Sequence, residues 1–173
     1  MSATEQTATH SAAGTIAKSV RVILGLLLLG MVALNVVSAL CRYVFGIVFV
    51  GADEVLVFTM IWMVMVGMIV ATASRSHIAL DFLVTRVAPR QRVALSAVHH
   101  LVMTGACAYA AFYCWSFVAR VAALGQASMA LGLPMAIPHS ALIVGFAGTT
   151  IASALLLAGD IRELLRAPRP AAR

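Results

Sequence analysis

Charge is what this chain has least of. Only 10% of its residues are Asp, Glu, Lys or Arg, while 62% are hydrophobic. A soluble domain carries roughly 25% charged residues, so lipid rather than water is the expected solvent. Acidic residues are the scarcest, six against twelve basic ones, for a formal net charge of +6. In a soluble chain that excess would suggest a nucleic-acid partner. Here the basic residues fall between long apolar runs, with no basic–aromatic cluster and no zinc-finger spacing, so nucleic-acid binding is set aside. Cysteine is also sparse: Cys41, Cys107 and Cys114 sit in or beside apolar runs, with no CxxC pair. They read as small buried hydrophobes and imply no disulfide framework.

What is present is a series of uncharged runs. A helix needs about 20 apolar residues to cross a hydrocarbon core of roughly 30 Å. Val22–Cys41 and Val55–Ser74 are such runs, and Leu101–Ala119 is a third whose helix is expected to begin near Val93. The uncharged stretch Val121–Gly159 is too long for one span, and Pro134 and Pro138 divide it. Proline is tolerated in a first helical turn and disfavoured deeper, which places the last span at about 137–159. The runs are continuous rather than alternating, which argues against membrane strands. Gly125, Gln126, Ser128, Gly132 and Pro134 mark 121–136 as a connection. Its apolar character predicts an interfacial or re-entrant segment. The first run is too long for a cleaved signal, and Leu40 stands where a lipoprotein cleavage site needs a small residue.

The expected fold is therefore all-α, with four transmembrane helices at about 20–42, 53–74, 93–119 and 137–159. They form a membrane domain over 16–165, between a polar, disordered start at 1–15 and a basic tail at 166–173. Ten of the twelve basic residues fall on one side of such a chain: Lys18 and Arg21, then Arg75, Arg86, Arg90 and Arg92, then Arg162, Arg166, Arg169 and Arg173. Only Arg42 and Arg120 fall on the other. The positive-inside rule then puts both termini in the cytoplasm.

Polar groups inside the spans are where chemistry would be sought. Asn35 reads as an interhelical hydrogen bond or a substrate contact. Arg42 and Tyr43 read either as a snorkelling cation with an aromatic anchor, or as a specific contact to lipid phosphate or a partner. Asp53 and Glu54 suit a helix start, where negative charge meets the positive end of the dipole, and also suit partner docking. No span as drawn contains an acidic residue in its interior, which argues against an ion-coupled carrier. Met60, Trp62, Met63, Met65 and Met68 crowd span two and read as packing rather than a cofactor site. Gly145, Thr149 and Ser153, at four-residue spacing, predict close helix approach to an unidentified neighbour. His77 and Asp81, four apart and preceded by Arg75, read as an ion-paired turn. Two such groups are too few for a metal site, and no nucleophile accompanies them. His99 and His100 open span three at the interface, and neither they nor His139 join a ligand set. No cofactor and no catalysis are expected.

Taken in order, these features resemble the small permease subunit of the tripartite ATP-independent periplasmic (TRAP) transporters, the DctQ-like family. The resemblance rests on Asn35, then Arg42-Tyr43-Val44-Phe45-Gly46, Asp53-Glu54, Trp62 and Gly67. It continues through Arg75, His77-Ile78 and Asp81, then Ala130-Leu131-Gly132-Leu133-Pro134 and Pro138. It departs in having Asp-Glu where Glu-Glu is usual, and in the wide spacing of Asn35 from Arg42. The resemblance implies a bacterial inner-membrane scaffold beside a large permease subunit that carries the substrate and ion sites. It further implies docking of a periplasmic binding protein, with an organic acid as the transported substrate. Expected contacts to partner or lipid are Asn35, Arg42, Tyr43, Asp53, Glu54 and Trp62, while Arg75, His77 and Asp81 organise the cytoplasmic loop. The competing readings are a self-sufficient small transporter or exporter, which would need an embedded carboxylate, and a membrane enzyme using His77, Asp81 and His99.

Overall fold

The computed structural model describes residues 3–74 and 89–166, with side chains from Lys18 to Ser74 and from Gln91 to Arg166. Arg75, His77 and Asp81 lie outside the described residues. Four helices follow one another: α1 Ala3–Val44, α2 Ala52–Ala73, α3 Pro89–Ala123 and α4 Ala136–Arg166. Each is long and apolar enough to cross a membrane. α1 includes residues 3–15, which the sequence reading left as a disordered lead.

The helix ends follow from local chemistry. At the end of α1 the Cys41 carbonyl accepts from the amides of Phe45 (3.1 Å) and Ile47 (3.0 Å). The intervening Gly46 has φ +69°, a left-handed conformation that glycine adopts without a Cβ penalty. α2 starts after Gly51, at φ +89°, with Asp53 and Glu54 in its first turn. α3 opens on Pro89, whose missing amide would be unpaired there in any case. Pro138 falls in the first turn of α4, as its position in the sequence predicts. α4 continues to Arg166, beyond the expected end at 159.

The helices do not pack in chain order. α4 lies between α2 and α3, and α1 packs on α2. The four form an open row, α1–α2–α4–α3, rather than a closed bundle. α4 can sit in the middle because its inner stripe is small: Pro138, Ala141, Gly145, Thr149 and Ser153 are all buried. A Cβ on Gly145 would stand 2.5 Å from Met65 Sδ, and one on Gly148 would stand 2.5 Å from Ile69 Cδ1. The α2 side chains thus rest directly on the α4 backbone. The Gly145–Ser153 stripe therefore has two neighbours, α2 at Gly145, where Met65 packs, and α3 at Ser153, which meets Thr104.

Lipid tails are as apolar as leucine, so helices in a membrane gain little from apolar burial alone. Close packing and interhelical hydrogen bonds carry the association instead. α4 has both. α1 has few of either: Val22, Leu26, Leu29, Val32, Val36 and Leu40 are all more than half or close to half exposed. A groove runs along each flank of its contact with α2, one beside Leu27 and Leu34, the other beside Val32 and Asn35.

Candidate functional site

Two polar constellations stand out, toward opposite ends of the helices. The first joins α3 to α4 near the chain termini. Ser96, His100 and Thr104 recur every four residues, so one face of α3 presents them together. Ser96 Oγ donates to Asp160 Oδ2 at 2.7 Å, and His100 Nδ1 lies 2.7 Å from the same oxygen. With the aspartate ionised, His100 is assigned its proton on Nδ1. Both side chains are almost wholly buried, at 9% and 2% exposure. Further along the seam Thr104 Oγ1 and Ser153 Oγ are 2.8 Å apart, and Thr104 also donates to the His100 carbonyl at 2.7 Å. Thr149 Oγ1 is buried with no hydrogen-bond partner among the described residues.

Ser, His and Asp together invite a comparison with a hydrolytic triad, and the geometry rejects it. A triad needs the serine hydroxyl on the imidazole and the carboxylate on the other ring nitrogen. Here serine and histidine both bond to one carboxylate oxygen, and Ser96 Oγ is 3.4 Å from Nδ1. The serine is held as a hydrogen-bond donor to aspartate, inside a helix seam. Among the described residues no group of three or more His, Cys, Asp or Glu could hold a metal ion.

This seam corrects the sequence reading in one respect and extends it in another. The spans were drawn free of buried acids because the uncharged run ends at Gly159. Asp160 is the next residue, and the extra two turns of α4 carry it into the packed interface. His100 joins no metal-ligand set among the described residues, as its sequence context predicts, but it pairs with Asp160, which that context does not show. The signal was present as periodicity: Ser153 and Asp160 are two turns apart on the small-residue stripe of α4. They face the 96–100–104 stripe of α3.

The second constellation lies at the opposite end, where the 45–51 and 124–135 connections meet. The chain between α3 and α4 is a tight hairpin. Ala127 bridges Pro134, Ser128 N–H donates to the Leu133 carbonyl at 2.8 Å, and Met135 N–H donates to the Gln126 carbonyl at 2.9 Å. Gly125 and Gly132 turn it with φ +61° and +65°. Glu54 grips its tip: Oε1 accepts the Ala130 amide and Oε2 the Leu131 amide, each at 3.0 Å. Leu131 then lies over Gly51, where a Cβ would come within 2.6 Å of Leu131 Cδ2. Gly51 is thus required twice, by its positive φ and by the leucine upon it.

The Asp53-Glu54 pair therefore divides. Glu54 is committed to the hairpin amides of Ala130 and Leu131, whereas Asp53 is 82% exposed and only 4.0 Å from Arg42 Nη2, itself half exposed. Beside them a crevice of about 510 Å³ is lined by Asp53, Val57, Phe58, Gln126, Met129 and Met135. Met129, at the hairpin tip, is fully exposed. Tyr43 is 85% exposed, next to Arg42. Trp62 is half buried in α2, away from this end, and Asn35 lies exposed on α1. The structure brings Arg42, Asp53 and Glu54 together with the hairpin, while Asn35 and Trp62 stand apart from them.

The described residues form four helices long and apolar enough to cross a membrane, and their polar groups close a seam and clamp a connector. The chain belongs to the DctQ component family of the tripartite ATP-independent periplasmic transporters, whose family model matches residues 13–163. That family is a small permease component of a transporter and not an enzyme family. Among curated proteins no match was found.

Proposed function

We propose that this small TRAP subunit is a scaffold for the large permease and helps dock a periplasmic binding protein during uptake of an organic acid. The observation that carries the reading is the open row of helices. A row exposes two apolar faces and leaves α1 held by one neighbour, a shape suited to lie against a larger membrane protein. Both termini are cytoplasmic in this reading, because ten basic residues flank the terminal end and two flank the connector end. The Glu54-clamped hairpin, Asp53, Arg42 and Tyr43 then face the periplasm, at the level where a soluble protein would dock. Asn35 and Trp62 are contacts to partner helices or lipid, and Arg75, His77 and Asp81 organise the cytoplasmic loop.

Replacing Asp53 and Glu54 together by Ala should weaken uptake in the assembled transporter, most strongly when binding protein is limiting. Undiminished uptake under that condition would defeat the docking role. Activity of a periplasm-only reporter fused to the C-terminus would overturn the orientation. Transport by this chain alone in liposomes would favour the self-sufficient carrier instead.

A further inference from the structure

The groove on the Asn35 flank of α1 holds one polar group in an otherwise apolar lining. It has a volume of about 320 Å³ and is walled by Leu28, Met31, Val32, Val36, Leu56 and Met60, with Asn35 among them. Asn35 is exposed and makes no hydrogen bond to any described residue. It lies six residues before Cys41, where the uncharged run ends. At 1.5 Å per residue this places it about 9 Å inside the hydrocarbon boundary. The short side chain of asparagine does not span that distance, whereas Arg42 at the boundary needs only to extend outward. An amide left unpaired in hydrocarbon is penalised by about 2–7 kcal/mol. An acyl chain offers it neither donor nor acceptor, so lipid alone does not satisfy the site.

From this we infer that a transmembrane helix of the large permease subunit lies in the α1–α2 groove and hydrogen-bonds Asn35. The inference rests on the scaffold reading above and identifies the surface it uses. The partner helix is apolar where it meets Val32, Leu56 and Met60. It presents one hydroxyl or amide side chain, or an uncapped carbonyl, at the depth of Asn35. A heterologous helix is the occupant that membership of a tripartite transporter family supplies. The arrangement also accounts for an α1 that is poorly buried within its own chain: its second neighbour belongs to another polypeptide.

The test uses the full chain coexpressed with its cognate large permease and affinity-purified in mild detergent. Asn35→Leu should lower recovery of the large subunit by roughly threefold to thirtyfold, the range set by one interhelical hydrogen bond. Asn35→Gln, which keeps the amide, should recover much of the loss. The isolated Asn35→Leu chain should remain at least as thermostable as the parent, which separates lost contact from misfolding. In a background with Cys41, Cys107 and Cys114 replaced, Val32→Cys and Val36→Cys labelled with a thiol-reactive photo-cross-linker should cross-link to the large subunit on illumination, and Ile151→Cys on α4 should not. If the parent chain recovers the large subunit and Asn35→Leu does so equally, the inference fails while the scaffold reading stands. If the parent recovers no large subunit, the scaffold reading fails and the inference with it. Cross-links from positions 32 and 36 only to a second copy of this chain would overturn the choice of partner.

Discussion

The two outer seams of the row are built on opposite terms. Between α3 and α4 the contact is closed with polar groups: Ser96 and His100 on Asp160, and Thr104 on Ser153. Between α1 and α2 the middle is apolar with a groove on each flank, and polar contacts are confined to the ends. There Arg21 donates to Ser74 Oγ at 2.7 Å, and Arg42 approaches Asp53 at 4.0 Å. One seam pairs Ser96, His100 and Asp160, and Thr104 with Ser153, although Thr149 Oγ1 stays without a partner among the described residues. The other leaves the Asn35 amide without a partner among the described residues. On the scaffold proposal, the closed seam is the part held together within the chain and the open seam is the part that meets another protein.

The comparison is broken most directly at Asp160. Asp160→Ala removes the acceptor shared by His100 Nδ1 and Ser96 Oγ and should destabilise the α3–α4 pair by about 1–3 kcal/mol for each buried donor left unpaired. Denaturant unfolding in detergent reads this directly, and a loss below about 1 kcal/mol would show that the pair does not hold the seam together. Next in size, Gly145→Val drives a side chain into Met65 and should lose about 1–3 kcal/mol by overpacking. Adding Met65→Ala should return only part of that loss, because it removes Sδ and Cγ but keeps the Cβ that would stand 2.7 Å away.

Smaller effects sharpen the contrast. Ser153→Ala should weaken the same seam by about 0.6 kcal/mol, with an upper range near 1.7 kcal/mol. A double-mutant cycle with Thr104→Val would show whether the hydroxyls act as a pair. Glu54→Ala should leave the helices folded and accelerate hydrogen exchange at the Ala130 and Leu131 amides, with Asp53→Ala as the unaffected control. Equal exchange in both variants would remove Glu54 as the hairpin clamp. At the bottom of the scale, Arg42→Gln should leave the melting temperature of the isolated chain unchanged, since both partners of that ion pair are exposed.

Some of this site was legible before any coordinates. Asp53 and Glu54 were recognisable as a helix start, and Gly145, Thr149 and Ser153 as a contact stripe, because both signals are local periodicities. The partners were not legible. Nothing near Glu54 in sequence announces the amides of Ala130 and Leu131, more than 70 residues away. Asp160 escaped for a different reason: an uncharged-run criterion ends a span at its first charge, even when that charge is turned inward onto a histidine. His100 looked interfacial for the same reason, since depth along a helix does not say which way the side chain faces.

The sequence by itself determined four membrane-length helices, their approximate limits and the family, because hydrocarbon thickness imposes long uncharged runs and the ordered motifs survive on them. It also marked the connection between α3 and α4, through Gly125 and Gly132. Only the tertiary structure decided that α4 is central, that α1 has one neighbour, that Glu54 holds the hairpin while Asp53 stays exposed, and that Asp160 is buried. Those outcomes depend on which faces meet. In a membrane nearly every face is apolar, so only close packing and a few hydrogen-bonding groups select among the possible pairings.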